Sequence, residues 1–124
     1  MQEKSGFIIS TDKERLDRNL IHSFVSQKSY WGKGRSKEAM DRAIEHSVYC
    51  FGVYQQHKDV EKQVGFARVI SDLTTFGYLA DVFILEEYRG CGLGKWLVQS
   101  IVEHPALCTL KRLGLFTQTP EFYL

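Results

Sequence analysis

Between positions 89 and 95 the chain reads Arg-Gly-Cys-Gly-Leu-Gly-Lys, three glycines and two cations in a short stretch. Directly before it, Tyr78 to Leu85 is a run of aromatic and branched apolar side chains broken only by Ala80 and Asp81. That is the pattern of a buried strand, and Glu86, Glu87 and Tyr88 end it. Directly after it, Leu93, Trp96, Leu97, Ile101 and Val102 recur at a spacing that places them on one helical face. The glycines therefore sit at the mouth of a helix. Such a helix start leaves about four backbone N–H groups without intrahelical partners and carries partial positive charge. Glycines lack a Cβ and let an anion close on the backbone, while Arg89 and Lys95 add full charges beside it. This is more than a bare turn requires, so the segment is predicted to cradle a phosphate or pyrophosphate.

Two familiar phosphate motifs do not fit. A P-loop needs four residues between its first glycine and a Gly-Lys-Ser/Thr; here Gly90 and Gly94 enclose three, and Trp96 stands where the magnesium-binding hydroxyl belongs. The dinucleotide fingerprint begun at Gly90 and Gly92 needs a glycine at position 95, which is Lys95, and no strand with a ribose-binding acid follows. What remains is Arg89-x-x-Gly92-x-Gly94 after a strand ending VFILEEY. This closely resembles the acetyl-CoA motif of the GNAT superfamily of N-acetyltransferases. The arm GFARVI (Gly65 to Ile70) and the later LGLFT followed by Phe122-Tyr123 fall in the order that family uses. The resemblance covers most of the chain and is weakest in the N-terminal third.

The resemblance implies an enzyme that moves an acetyl group from acetyl-CoA to a primary amine of a small molecule or protein, by direct attack in a ternary complex. It places Phe83, Ile84 and Leu85 along the pantetheine arm, and Arg89, Gly90, Cys91, Gly92, Leu93, Gly94 and Lys95 around the pyrophosphate. The backbone N–H near Leu85 would polarise the thioester carbonyl. A protonated amine cannot attack, so a base or a water relay must take its proton. Asp81 is the acid inside the strand, and its apolar neighbours are expected to raise its pKa; Glu86 or Glu87, acting through solvent, are further candidates. Tyr123 matches the family's general acid for the leaving thiolate. In the same family the region between the first two helices lines the acceptor pocket, which makes Tyr30, Trp31 and Arg35 candidate acceptor contacts; a carboxylate-bearing substrate would suit Arg35. The alternative is a non-catalytic acyl-CoA-binding or regulatory module of the same fold.

The elements that must position these residues can be read from the letters. Phe7 to Ser10 is predicted as a first, edge strand. Thr11 or Asp12 caps a helix whose stripe is Leu16, Leu20, Ile21, Phe24 and Val25, and Ser36 caps a second with Met40, Ala43 and Ile44 inward. Ser47 to Gln55 and Gln63 to Ile70 form a hairpin joined by the polar segment Gln56 to Lys62, and Phe76 to Leu85 adds a third antiparallel strand. The glycine-loop helix runs from Cys91 to Glu103 and stops before Pro105. A right-handed crossover then sets Leu113 to Thr117 parallel to Phe76–Leu85. The predicted fold class is α/β of the α+β kind: a mixed, mostly antiparallel sheet with one splayed parallel strand pair, flanked by helices on both faces, in a single domain over residues 1–124. The family's usual last strands are absent after Leu124, which predicts an open sheet edge and a homodimer formed through it.

Composition limits the remaining classes. With 16 Lys plus Arg against 15 Asp plus Glu, the net charge of +1 offers no general attraction to nucleic acid or to an anionic membrane. No run approaches the roughly 18 apolar residues of a membrane span, and the N-terminus has no signal core, so the expectation is a cytoplasmic protein. Cys50, Cys91 and Cys108 are widely spaced and form no C-x-x-C pair, and neither His46 nor His57 has a second ligand at a defined spacing. Reduced thiols and no metal are expected.

Overall fold

Ser5 and Gly6 fix the start of the sheet. Both have positive φ, 51° and 85°, the pair of left-handed conformations that a two-residue type I′ hairpin requires. Strand β1 (Gln2–Lys4) therefore folds back antiparallel on β2 (Phe7–Ser10), with Lys4 opposite Phe7. Phe7–Ser10 is thus an inner strand, not the predicted edge. The letters Gln-Glu-Lys carry no apolar alternation, so only the Ser-Gly turn signals β1. The chain is described by a computed structural model over residues 2–28, 34–110 and 113–115.

Asp12 accepts the Glu14 N–H and caps a short 3-10 turn, Lys13–Arg15, rather than the first helix. Helix α1 (Arg18–Lys28) starts later, where Asp17 Oδ1 accepts the Leu20 N–H at 3.1 Å. Of the predicted stripe, Ile21, Phe24 and Val25 are buried and Leu20 is half-buried against the core, while Leu16, also buried, lies before the helix. Ser36 Oγ takes the Ala39 N–H at 3.1 Å and opens α2 (Lys37–His46), which buries Met40 and Ile44.

Strand β3 (Tyr49–His57) starts and ends two residues later than predicted, and β4 (Val60–Ser71) is longer at both ends. The polar letters at 56–62 continue the ladder to His57 opposite Val60, and the turn is only Lys58 and Asp59, with Lys58 at φ 56°. The solvated tip of a hairpin needs no apolar side chains. β5 (Gly77–Ile84) pairs antiparallel with β4, then α3 (Leu93–Val102) crosses over to β6 (Leu113–Leu115), parallel to β5. Among the described residues the sheet order follows the sequence from β1 to β6. The described β5–β6 pairing runs from Gly77–Leu113 to Leu79–Leu115, while β5 continues to Ile84. The rest of the predicted Leu113–Thr117 strand, and Tyr123, lie outside the described residues.

The helices take both faces. Cys50 donates its thiol to the Ile44 carbonyl of α2, whereas Tyr49 and Phe51, on the other face of β3, meet the His104 ring beyond α3 at 4.5 and 5.7 Å. Burial pushes the Cys50 thiol up to about 11, so it behaves as a core side chain. Phe24 of α1 stacks on Phe83 of β5 with centroids 4.1 Å apart, a pair that contributes roughly 0.5–1.5 kcal/mol beyond its burial. In α3, Leu93, Trp96, Leu97 and Ile101 are buried but Val102 is 45% exposed, correcting its predicted place on the inner face: the residue after Ile101 turns about 100° away. No described helix is long and apolar enough to cross a membrane.

Candidate active site

The β4–β5 ladder contains one irregularity. Phe66 opposes Phe83 and Arg68 opposes Ala80, so Ala67 alone faces both Asp81 and Val82. Asp81 absorbs this bulge at φ 54°, a left-handed conformation that an aspartate tolerates better than a branched residue does. A strained backbone of this kind persists only where its surroundings hold it.

At Asp81 those surroundings include two guanidiniums. Asp81 Oδ2 accepts from Arg35 Nη1 at 2.6 Å and from Arg68 Nε at 2.7 Å, and its side chain is 1% accessible. Arg35 reaches the strand because its backbone is fastened to α1. His22 Nε2 donates to the Arg35 carbonyl at 2.8 Å and the Gly34 N–H donates to the Ser26 carbonyl at 3.0 Å. Arg68 comes from β4, and its Nη1 also reaches Ser47 Oγ at 3.4 Å. Burial is the largest single influence on the Asp81 carboxyl and would raise its pKa. The hydrogen bonds and charges of Arg35 and Arg68 together outweigh it and hold the carboxyl below its ordinary range. The expected raised pKa is therefore corrected: Asp81 is an ionised, paired carboxylate. Arg68 was missed as a site residue, although the signal was present, since a cation within the apolar run GFARVI has to find a buried partner.

From β5 the chain passes through a 3-10 turn, Glu86–Tyr88, into the glycine loop. Gly90 and Gly92 have φ of 87° and 86°, and a Cβ on either would meet nothing within 4 Å. The glycines thus serve backbone conformation, and the loop's outer side is open. Gly92 is the N-cap of α3 and offers no side-chain cap. The helix's first i→i−4 bond runs from the Trp96 N–H to the Gly92 carbonyl at 3.0 Å, so the N–H groups of Leu93, Gly94 and Lys95 precede it. Arg89 Nε ties the loop to the Ile84 carbonyl at 2.9 Å, the Cys91 thiol donates to the Tyr88 carbonyl at 3.1 Å, and Tyr88 is anchored on β3 through Gln55 at 2.9 Å. Lys95 is exposed. The geometry is that of an anion-binding helix start.

Phe83, Ile84 and Leu85 are all buried, at 3%, 1% and 7% exposure, so a ligand running along β5 would meet their backbone rather than their side chains. Of the N–H groups near Leu85, that of Leu85 itself donates to the Val64 carbonyl at 2.8 Å and is engaged in the ladder. Ile84 opposes Gly65 in the intervening position of the antiparallel ladder and turns its N–H and C=O away from β4; its carbonyl being met by Arg89 agrees with that direction. Asp81 and Ile84 lie about 10 Å apart along the strand at ~3.3 Å per residue. Tyr30, Trp31 and Tyr123 lie outside the described residues. Among the described residues no group of His, Cys, Asp or Glu is gathered to hold a metal.

Comparison with known proteins agrees with this geometry. A family model described as an acetyltransferase (GNAT) domain matches residues 46–124. A Gibberella zeae protein named as an acetyltransferase is 34% identical over 115 residues, covering 81% of this chain and 64% of that one. GCN5-related N-acetyltransferase 1, chloroplastic, of Arabidopsis thaliana is 21% identical over 116 residues, and the chain spans 57% of its length. The chain thus covers less than two thirds of these relatives. A crystal structure assigned to the GNAT family, from Xanthomonas campestris pv. campestris, superposes with a TM-score of 0.86 at 42% identity, covering 98% of this chain and 82% of that one. Glucosamine-6-phosphate N-acetyltransferase from Arabidopsis thaliana shares the fold, with a TM-score of 0.62 at 18% identity over 94% of this chain and 86% of that one. Because the matched region contains both the β5 bulge and the glycine loop, the chain belongs to the GNAT family of acetyltransferases.

Proposed function

We propose that the protein transfers an acetyl group from acetyl-CoA to a primary amine of a small molecule or protein, by direct attack within a ternary complex. The observation that carries this reading is the loop at α3: two left-handed glycines with open space beside them, at a helix start without a side-chain cap. The cradle of Arg89, Gly90, Cys91, Gly92, Leu93, Gly94 and Lys95 fits a diphosphate through backbone N–H groups and two cations. The segment Phe83, Ile84 and Leu85 would receive the amide-bearing arm along its open side, where Ile84 turns its backbone groups away from β4, as a strand receives a neighbour. Acetyl-CoA supplies the activated thioester.

Within this reading the Ile84 N–H, turned to the open side of β5, donates to the carbonyl oxygen as charge builds on it. The amine nitrogen bonds to the carbonyl carbon, the carbon–sulfur bond breaks, and the sulfur leaves with the electron pair. Tyr123 gives its proton to that thiolate. The proton lost by the amine passes to solvent, with Glu86 and Glu87 exposed at the end of β5. Asp81, held low by its partners, positions Arg35 and Arg68 and does not itself take that proton. Tyr30, Trp31 and Arg35 are the acceptor contacts of this proposal.

Thermal melts with acetyl-CoA, CoA and NAD test the cradle. Acetyl-CoA at 100 times its Kd is expected to stabilise the protein by about 2.7 kcal/mol, CoA comparably, and NAD not at all; equal stabilisation by NAD, or none by acetyl-CoA, overturns the assignment. Thiol release across an amine panel then separates an enzyme from a binding module, since binding without release favours the latter. Tyr123→Phe is expected to lower kcat about 100-fold with little change in acetyl-CoA affinity. Full turnover in that variant would remove Tyr123 from the chemistry.

A further inference from the structure

We infer that the amine acetylated by this protein carries an oxyanion of its own, held by Arg35 and Arg68. The inference rests on the acetyltransferase reading and adds the substrate class. Both guanidiniums bond to the same Asp81 oxygen. Two cations on one carboxylate leave the group with a surplus positive charge, at side-chain exposures of only 22% and 13%. The nearby acids of α2 are engaged elsewhere: Asp41 pairs with Arg18 and Lys37, and Glu45 with Arg18.

The donors also exceed their acceptors. Arg35 makes its hydrogen bonds through Nη1 alone, to Asp81 and to Met40 Sδ, so its Nε and Nη2 donors have no acceptor among the described residues. Arg68 uses Nε on Asp81 and Nη1 on Ser47, which leaves Nη2. A single arginine would balance Asp81. The second adds an unspent planar fork, the arrangement that recognises carboxylate or phosphate oxygens. Each part is fixed before any ligand arrives: Arg35 by His22 and α1, Arg68 by β4, and Asp81 by the bulge. Water can meet the spare donors of a partly exposed cation, but a ligand anion meets them with charge-assisted bonds and offsets the surplus charge as well. An acceptor lying on α1, α2 and the β5 bulge would bring that anion and leave its amine to reach the open side of β5.

The test uses the full chain, acetyl-CoA and matched amines, with kcat/KM read by thiol release. An amino acid is compared with its carboxamide, an aminoalkyl phosphate with the corresponding amino alcohol, and a polyamine is included. The carboxylate or phosphate member is expected to exceed its neutral match by about 100-fold, and the pair showing the larger ratio tells which oxyanion is read. In Arg35→Gln, which leaves Arg68 and Asp81 as a balanced pair, that ratio is expected to fall towards one through a rise in KM, with stabilisation by acetyl-CoA retained. Neutral amines or the polyamine acetylated as fast as the anionic members, or a ratio unchanged in Arg35→Gln, overturn the inference. Should no amine be acetylated although acetyl-CoA stabilises the protein, it is the acetyl-transfer reading that fails. The anion site is then judged by calorimetric titration of the CoA-bound protein with the carboxylate and phosphate members: saturable binding lost in Arg35→Gln upholds it, and no binding overturns it.

Discussion

Gly92→Val is expected to weaken acetyl-CoA binding by at least 30-fold while the protein remains folded. At φ 86° a branched side chain is strained by roughly 1–3 kcal/mol. Its Cβ would meet nothing within 4 Å, so the protein has no clash to relieve and the strain is released by turning the loop backbone. That rotation moves the N–H groups at the start of α3 out of convergence, and these are the proposed diphosphate donors. The loss should therefore appear in binding, at about 1.4 kcal/mol per tenfold, more than in the melting temperature. Gly92→Ala, with less strain and no branching, should lie between the variant and the wild type. Titration calorimetry with CoA reads the affinity and a ligand-free melt reads the fold. An affinity within about threefold of wild type for Gly92→Val would show that these amides do not hold the ligand.

The parts of the molecule that the letters revealed share one property: their signal is local. The apolar run of β5, the glycine loop and the stripe of α1 each lie within a few neighbouring residues, where periodicity and turn chemistry act. The sheet's antiparallel order and its parallel last pair followed from connection rules. What was not legible depends on residues far apart in the chain. The Asp81 carboxyl was expected to rise because its sequence neighbours are apolar; it is lowered by Arg35 and Arg68, which the fold brings in from 46 and 13 residues away. Arg68 passed as part of a strand because its partner lies across a bulge that no letter announces. Likewise, the Leu85 N–H is spent on Val64, a matter of ladder register that composition does not specify. β1 escaped because three polar residues at a sheet edge look like any surface segment.

Asp81→Asn is expected to lower stability by about 3 kcal/mol at neutral pH, near 10 °C in Tm for a chain of this size. Asparagine keeps the shape but removes the charge that Arg35 and Arg68 share, leaving two guanidiniums on a neutral amide. Losing one partner of a buried pair costs about 3–5 kcal/mol, and the partial exposure of both arginines places this case at the low end. The pH dependence has a definite sign. Because the folded carboxyl lies below its ordinary 3.8, its contribution is fully present above that value and is lost as pH falls through the folded pKa. The gap between wild type and Asp81→Asn should accordingly be constant from about pH 5 to 9 and close only in acid. The same property separates positioning from proton transfer. A base with so low a pKa gives the wild type no acidic limb near neutrality, so the limb observed should belong to the acceptor amine or its solvent route and should persist in Asp81→Asn, with the acceptor KM raised as the two arginines lose their alignment. A limb between pH 5 and 8 that disappears in Asp81→Asn, together with a 100-fold fall in kcat, would return the role of base to Asp81. Double replacement with Arg35→Gln offers a further check, since removing one of the two crowded cations should recover part of the lost stability if charge imbalance is its cause.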